Sequence, residues 1–510
     1  MNLKLICISL AVIFSIASCS SKKEADNKKP NIIYVLADDL GYGDVGCYNS
    51  DAKINTPQLN KLASEGMIFT DAHTSSSVCT PTRYGILTGR YNWRTKLKQG
   101  VLSGKSPALI NTERETVASL LKKAGYYTAF IGKWHLGWGW DMDENNNIDF
   151  SKPVKNSPNT NGFDYAYGHC GSLDMPPYVY VENGMSTAIP VDSTENTDFQ
   201  GMWRKGLTAP DFVHEEVTPH FFQKSFEFIK QQAKSDNPFF LYLPLPSPHT
   251  PILPTEEWQG KSGLNPYGDF VIMVDDYMGQ LEATIKEAGI EGNTLIIFTS
   301  DNGCSPRANF PELIAKGHNP SYIFRGHKAD IFEGGHRVPF IVKWPKVIQS
   351  GTTCEKTICL TDLMATCASV TDSELAENAA EDSYSLLSLL KNPTSGEFHR
   401  ETTVHHSING SFAIRKGDWK FILCPDSGGW SYPHPKKDNT DDLPHFQLYN
   451  LKNDPGEQNN LYGKYPEVEL KLKQELVALI KNGRSTPGEA QKNDGEQWWP
   501  HLSWMEAGVK

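Results

Sequence analysis

The sequence has no C-x-x-C pair among its ten cysteines, so neither a cysteine-based structural zinc site nor a dithiol redox motif is indicated. It has no basic excess. A net charge of −11 over 510 residues argues against general nucleic-acid binding, and an anionic ligand would need a locally positive pocket. Its leading apolar run, Leu5 to Ala17, is shorter than the ~20 residues needed to span a bilayer. No internal repeat is visible. What is present is an ordinary globular composition: hydrophobic 39%, charged 21%, aromatic 11%. The chain is too long for one small core, which predicts a large domain and a smaller one.

Lys4 followed by Leu5 to Ala17 reads as an export signal, and Ile16-Ala17-Ser18-Cys19 resembles a bacterial lipobox. Residues 1–18 are then a lipoprotein signal peptide and Cys19 the lipidated first residue. Residues 19–30 become a polar tether. The expected location is that of an exported bacterial lipoprotein, in the periplasm or at the outer membrane, meeting the membrane only through its lipid. Cys7 belongs to the signal. Cys47, Cys170, Cys304, Cys354, Cys359, Cys367 and Cys424 are odd in number, and most are expected to be buried and reduced.

Apolar β-rich runs alternate with amphipathic stretches, which predicts a mostly parallel α/β sheet. Strands are expected at Asn31–Ala37, Met67–Ala72, Tyr127–Ile131, Phe239–Leu243, Thr294–Thr299 and Val338–Lys343. Helices are expected at Thr56–Glu65, Thr116–Ala124, His220–Lys234 and Val271–Ala288. After about Arg400 the runs become short: Thr402–Val404, Phe412–Arg415, Trp419–Leu423 and Phe446–Leu451, then a helix at Glu467–Lys481. The expected division is a catalytic α/β domain over 31–399 and an α+β subdomain with an antiparallel sheet over 400–510. Its last segment, Arg484–Lys510, should wrap the surface.

Polar residues sit just beyond the strands. Asp38 and Asp39 follow the first, Lys133 and His135 follow Tyr127–Ile131, His249 follows Phe239–Leu243, and Asp301 and Asn302 follow Thr294–Thr299. Ligands of open α/β sheets bind outside the carboxyl ends of the strands, so all four sets should meet at one edge. Asp38, Asp39, Asp301 and Asn302 are hard oxygen donors suited to Ca²⁺ or Mg²⁺. Arg83, Lys133, His135, His249 and Lys328 could stabilise a multiply charged ester and protonate its leaving group. Asp141–Asp149 superficially looks like a calcium loop. It lacks the central glycine and has Lys152 where a bidentate glutamate belongs, so it is read as a solvated loop.

Cys79-Thr80-Pro81-Thr82-Arg83, continued as Y-G-I-L-T-G-R to Arg90, resembles the signature of the type I, formylglycine-dependent sulfatases. The segment I-G-K-W-H-L-G around Lys133 and His135 is similar to that family, as are S-P-H-T-P around His249 and G-H-K-A-D-I-F-E-G-G-H-R-V-P around Lys328. So is the tail with Gln447-Leu448-Tyr449-Asn450-Leu451, Asp454-Pro455 and Glu457. Position 327 (His) and position 329 (Ala) depart from the glycines of many members. The resemblance implies an alkaline-phosphatase-like sandwich and sulfate-ester hydrolysis. It implies that a maturation enzyme converts Cys79 to formylglycine, and that Asp38, Asp39, Asp301, Asn302 and residue 79 hold calcium (magnesium being possible). It further implies that Asp301 deprotonates the hydrated aldehyde and Arg83 and Lys133 steady it. His249 with Lys328 would protonate the leaving oxygen, and His135 would help the sulfated intermediate collapse.

Tyr91–Leu102 and Gly168–Tyr180 resemble bacterial carbohydrate sulfatases, most of all a group acting on 6-O-sulfated galactose or N-acetylgalactosamine. Asp174, His169, His220, Arg325, His405 and His406 are candidate contacts to sugar hydroxyls of a sulfated glycan, with Asp174 preferred. The alternatives are a sulfatase of other regiospecificity, a phosphate or phosphonate ester hydrolase of the same superfamily, and a non-catalytic lectin that keeps the fold.

Overall fold

The computed structural model describes residues 28–505. The expected signal peptide, Cys19 and most of the expected tether lie outside the described residues. Ten strands form the main sheet, in the spatial order Thr352–Cys354, Met67–Phe69, Phe340–Lys343, Thr294–Ser300, Asn31–Ala37, Phe239–Pro244, Tyr127–Lys133, Tyr165–His169, Val181–Glu182 and Met185–Ser186. The five central strands, from Thr294–Ser300 to Tyr165–His169, pair in parallel. Phe340–Lys343 runs antiparallel beside them. The strand N-I-I-Y-V-L-A is buried at every position after Asn31, as a parallel strand covered on both faces should be.

The expected strand at Met67–Ala72 ends at Phe69, and Ala72–His73 leaves the sheet to pair with Ile358–Cys359. The helix expected from Val271 starts earlier, at Pro266, where Asn265 accepts a hydrogen bond from the Gly268 amide. That helix also supplies a cap to a neighbour. Asp275 accepts from the Gln58 and Leu59 amides at the start of Pro57–Glu65, whose own Thr56 makes no side-chain cap.

The four-stranded antiparallel sheet comprises Thr402–His406, Phe412–Lys416, Trp419–Ile422 and Gln447–Asn450, packed by the helix Pro466–Asn482. Its core is shared with the rest of the chain, because Tyr91, Trp93 and Cys359 pack into the same cluster. The last described segment does more than wrap the surface: Trp499, Leu502 and Trp504 are buried in that cluster. Cys47 is half-buried and the other described cysteines are buried, all unpaired. Residues 141–149 form an exposed turn in which Asp143 accepts from the Asn145 and Asn147 amides, as a solvated loop should. No described helix is long and apolar enough to cross a membrane.

Candidate active site

The carboxyl ends of the central strands carry the polar sets anticipated from the sequence, and they meet. Asp38 and Asp39 leave the Asn31–Ala37 strand, with Asp39 in the left-handed region at φ 67°. Such a backbone is strained for a residue other than glycine and turns the two carboxylates differently. Asp301 and Asn302 leave the adjacent strand, and the Asp39 amide donates to Asp301 Oδ1 at 3.3 Å. Asn302 Nδ2 donates to Asp39 Oδ1 at 2.6 Å. Cys79 opens the helix Cys79–Thr88, whose amide end favours negative charge.

Three buried cations interlock with these acids. Arg83 Nε donates to Asp301 Oδ2 at 2.9 Å, and its Nη1 donates to the Lys133 carbonyl at 2.9 Å. Lys133 Nζ lies 2.5 Å from Asp38 Oδ2. Lys328 Nζ lies 2.7 Å from Asp39 Oδ1. Arg83 thus braces two carboxylates and a backbone carbonyl. The loop bearing Lys328 reaches Asp39 because glycines allow close packing: a Cβ on Gly303 would fall 1.9 Å from the Gly334 carbonyl oxygen, and one on Gly334 would fall 2.3 Å from that of Gly326. Glu333 of the same motif is fixed twice: its amide donates to Glu457 Oε2 at 2.7 Å, and its Oε1 accepts from Lys420 of the smaller sheet at 3.1 Å.

Two histidines complete the centre. His249 Nδ1 donates to the Thr250 carbonyl at 2.5 Å, leaving Nε2 3.6 Å from Asp39 Oδ2. Ser172 Oγ bridges this histidine (3.4 Å) and Lys133 (3.3 Å). Ser172 carries no signal in the sequence beyond its position inside Gly168–Tyr180. His135 Nε2 donates to the Leu102 carbonyl at 2.8 Å, so its Nδ1 is the bare nitrogen, buried and without a partner. Burial, with Lys133 and Arg83 nearby, holds its pKa well below the ordinary histidine value.

The electrostatics of the acidic cluster fit a cation. Asp38, Asp39, Asp301 and Asn302 are each at most 1% exposed. Asp38 Oδ1 and Asn302 Oδ1 are buried without a hydrogen-bond partner. Burial works against the Asp38 carboxylate, yet Lys133, His249 and Arg83 hold its pKa far below the ordinary range. Burial and Asp38 together push Asp301 up. Two orphaned oxygens beside crowded carboxylates fit a hard divalent ion. The three carboxylates and the cations Arg83, Lys133 and Lys328 cancel formally, so such an ion would leave the centre net positive, as an anionic ester requires. Burial pushes the Cys79 thiol up to about 11, the opposite of an activated thiolate.

A cavity of about 300 Å³ opens over His249 and Lys328, and Asp174 lines it. The other expected sugar contacts are placed elsewhere. His405 is fully buried, stacked 3.8 Å from His336, with Nδ1 3.2 Å from the Thr74 carbonyl oxygen. His406 is 1% exposed against Phe412. His169 is buried and stacked on Phe221. His220 contacts the Tyr167 hydroxyl at 2.7 Å. Arg325 lies over Phe332 and donates to the Glu457 carbonyl at 3.0 Å. None of the five lines the cavity, although the Nε2 atoms of His169, His405 and His406 are buried without a hydrogen-bond partner.

Comparison with known proteins agrees with this geometry. Residues 30–373 match the family model described as Sulfatase, and residues 327–482 match the model described as N-sulphoglucosamine sulphohydrolase, C-terminal. The chain is 33% identical to an N-acetylgalactosamine-6-O-sulfatase of Bacteroides thetaiotaomicron, over 91% of this chain and 96% of that one. It is 32% identical to human arylsulfatase A, over 92% of this chain and 91% of that one. A solved structure from work on glycosaminoglycan metabolism by Bacteroides thetaiotaomicron superposes with a TM-score of 0.78 at 33% identity, covering 89% of this chain and 99% of its own. With acids, cations and Cys79 at one sheet edge and these likenesses along nearly the whole length, the chain belongs to the sulfatase family, hydrolases of sulfuric esters on an alkaline-phosphatase-like fold.

Proposed function

We propose that the protein removes 6-O-sulfate from galactose or N-acetylgalactosamine residues of sulfated glycans, with residue 79 as formylglycine and calcium in the acidic centre (magnesium being the alternative ion). The observation that carries this reading is the pair of orphaned oxygens, Asp38 Oδ1 and Asn302 Oδ1, beside Cys79 at the amide end of its helix. The 6-O position is supported by the name of the bacterial relative and by the resemblance of Tyr91–Leu102 and Gly168–Tyr180.

Asp38, Asp39, Asp301 and Asn302 would hold the ion. The ion and the formylglycine supply, respectively, charge stabilisation at the sulfate oxygens and the nucleophilic oxygen. The chain's own groups do the rest. Lys133 and Lys328 bring positive charge to the ester oxygens. His249 carries the proton for the leaving sugar oxygen, its ring fixed through the Thr250 carbonyl and its Nε2 drawn towards Asp39. His135 accepts a proton at Nδ1, the nitrogen left bare by Leu102. Arg83 makes both of its contacts to Asp301 at Oδ2, so a proton would go to Oδ1, which accepts only the longer bond from the Asp39 amide. Asp174 in the cavity wall is the sugar-hydroxyl contact. Maturation requires a formylglycine-generating enzyme, and the lipobox-like Cys19 supports export as a lipoprotein.

The test is sulfate release by the matured protein from 2-, 3-, 4- and 6-O-sulfated galactose, N-acetylgalactosamine and N-acetylglucosamine, beside the matching phosphate esters. Release from the 6-O-sulfated galacto sugars is expected. Preference for another position, or for phosphate, would overturn the assignment.

A further inference from the structure

The cavity over His249 and Lys328 has a rim that the sulfate chemistry does not use. Trp430 comes from the smaller subdomain, and Phe199 and Arg307 from two separate loops of the larger one. Trp430 is 43% exposed and Phe199 56% exposed, so the mouth of this charged site presents two large apolar side chains together. Trp430 is nonetheless held firmly. Its amide donates to Asp330 Oδ1 at 2.7 Å, the Ser431 amide donates to the same oxygen at 3.0 Å, and Asp330 is fully buried. The Ile331 amide donates to the Ser427 carbonyl at 2.8 Å. A Cβ on Gly429 would fall 2.4 Å from the Ala329 carbonyl oxygen, so the Trp430 loop lies directly on the loop that bears Lys328. The backbone that carries this exposed indole is therefore fixed beside the reacting centre.

The cations of the cavity are not equivalent. Lys328 is paired with Asp39, and Arg204 with Asp174. Arg307 has no carboxylate partner among the described residues. Its Nη1 donates to the Phe199 carbonyl at 3.0 Å and its guanidinium lies 5.1 Å from the Phe199 ring centre. The rim thus offers a flat apolar face and one uncompensated positive charge on a chain whose net charge is −11. A volume of about 300 Å³ is at the small end of ligand pockets, so a longer glycan must leave across this rim.

We propose that Trp430 and Arg307 form a second sugar subsite, Trp430 stacking on the ring next to the sulfated residue and Arg307 reading a negative charge on that ring. The inference rests on the carbohydrate-sulfatase reading above and extends it to the class of substrate: glycans in which the sulfated sugar adjoins an anionic one, a uronate or a second sulfated sugar. An aromatic face recognises the ring at little entropic cost, and a guanidinium with free donors recognises carboxylate or sulfate alike.

The experiment compares kcat/KM of the matured protein on a 6-O-sulfated monosaccharide, a disaccharide of it with a neutral hexose, a disaccharide with a hexuronate, and a disaccharide with a second sulfated sugar. The wild type should prefer both charged disaccharides, or the one whose anion Arg307 reads. W430A should lower the disaccharide-to-monosaccharide ratio for every disaccharide by about tenfold, and R307A only for the charged ones, the scale of a lost charge-assisted contact. R307K should recover part of the loss, and unfolding midpoints equal to wild type will show that the variants fold. Equal kcat/KM on all substrates, or variants that lower every substrate in parallel, would overturn the subsite. If no substrate releases sulfate although residue 79 is converted, the function reading fails instead. Calorimetric binding of the desulfated hexuronate disaccharide then decides the subsite: affinity lost in R307A upholds it, and affinity absent or unaltered overturns it.

Discussion

Arg83 Nε donates to Asp301 Oδ2 at 2.9 Å while its Nη2 lies 3.5 Å from Asp38 Oδ2, so one buried guanidinium ties two strand ends together. Removing it leaves the buried Asp301 carboxylate without its cation, while Asp38 keeps Lys133. Arg83→Ala should lower the stability of the metal-free protein by about 3–5 kcal/mol, the usual cost of leaving a buried charge unpaired. Arg83→Lys should recover little, because an ammonium cannot reproduce the fork. Denaturant midpoints measure both, and an unchanged midpoint in Arg83→Ala would refute the bracing role.

His249 is assigned to the leaving group, and that assignment has a signature. His249→Ala should lower kcat on sulfated sugars by roughly 10²–10⁴-fold, the range for a general acid. The loss should be much smaller on an aryl sulfate with an acidic phenol, which departs without protonation. Equal losses on both substrates would mean that His249 positions the ester and does not protonate it.

The crowded acids predict a metal-dependent fold as well as a metal-dependent reaction. Chelation should abolish sulfate release and lower the unfolding temperature, and calcium should restore both. Asp39→Asn should weaken the calcium-induced rise in unfolding temperature, since binding to the native state alone stabilises it. An unfolding temperature indifferent to calcium would argue against this cluster as the site.

Away from the centre, Asp71 makes a pH prediction. Burial opposes its ionisation, but Arg337, Arg415 and His73 hold its pKa well below the ordinary value. A depressed native pKa means that the unfolded chain binds the proton first as pH falls. The stabilisation is complete above the unfolded value of about 4 and drains away below it. Between about pH 5 and pH 3 the wild type should therefore lose stability more steeply than Asp71→Asn. Parallel slopes would contradict the shift.

Much of the centre was legible because the physics there is local. Asp38, Asp39, Lys133, His249, Asp301 and Asn302 follow long apolar strands, and parallel strands deliver their carboxyl ends to one edge. His405 and His406 were misplaced for the converse reason. A histidine looks the same in sequence whether it meets solvent or stacks on His336, and only tertiary packing decides. The Asp192–Asn196 and Trp203–Thr208 pair was not anticipated, because D-S-T-E-N and W-R-K-G-L-T show no apolar alternation. The cavity rim was hidden for a third reason. Phe199, Arg307 and Trp430 come from three distant loops, and no spacing in the chain joins them.

The central claim is that residue 79, matured from cysteine, is the nucleophile of a sulfatase. It is tested most directly by measuring sulfate release from 6-O-sulfated N-acetylgalactosamine by wild type and Cys79→Ala, each expressed with a formylglycine-generating enzyme, with the mass of the residue-79 peptide recorded for both. The account predicts release only by the wild type, in proportion to the fraction of peptide carrying the aldehyde, with Cys79→Ala folded and inactive. Release by Cys79→Ala, or full activity from wild type whose Cys79 is entirely unconverted, would contradict it.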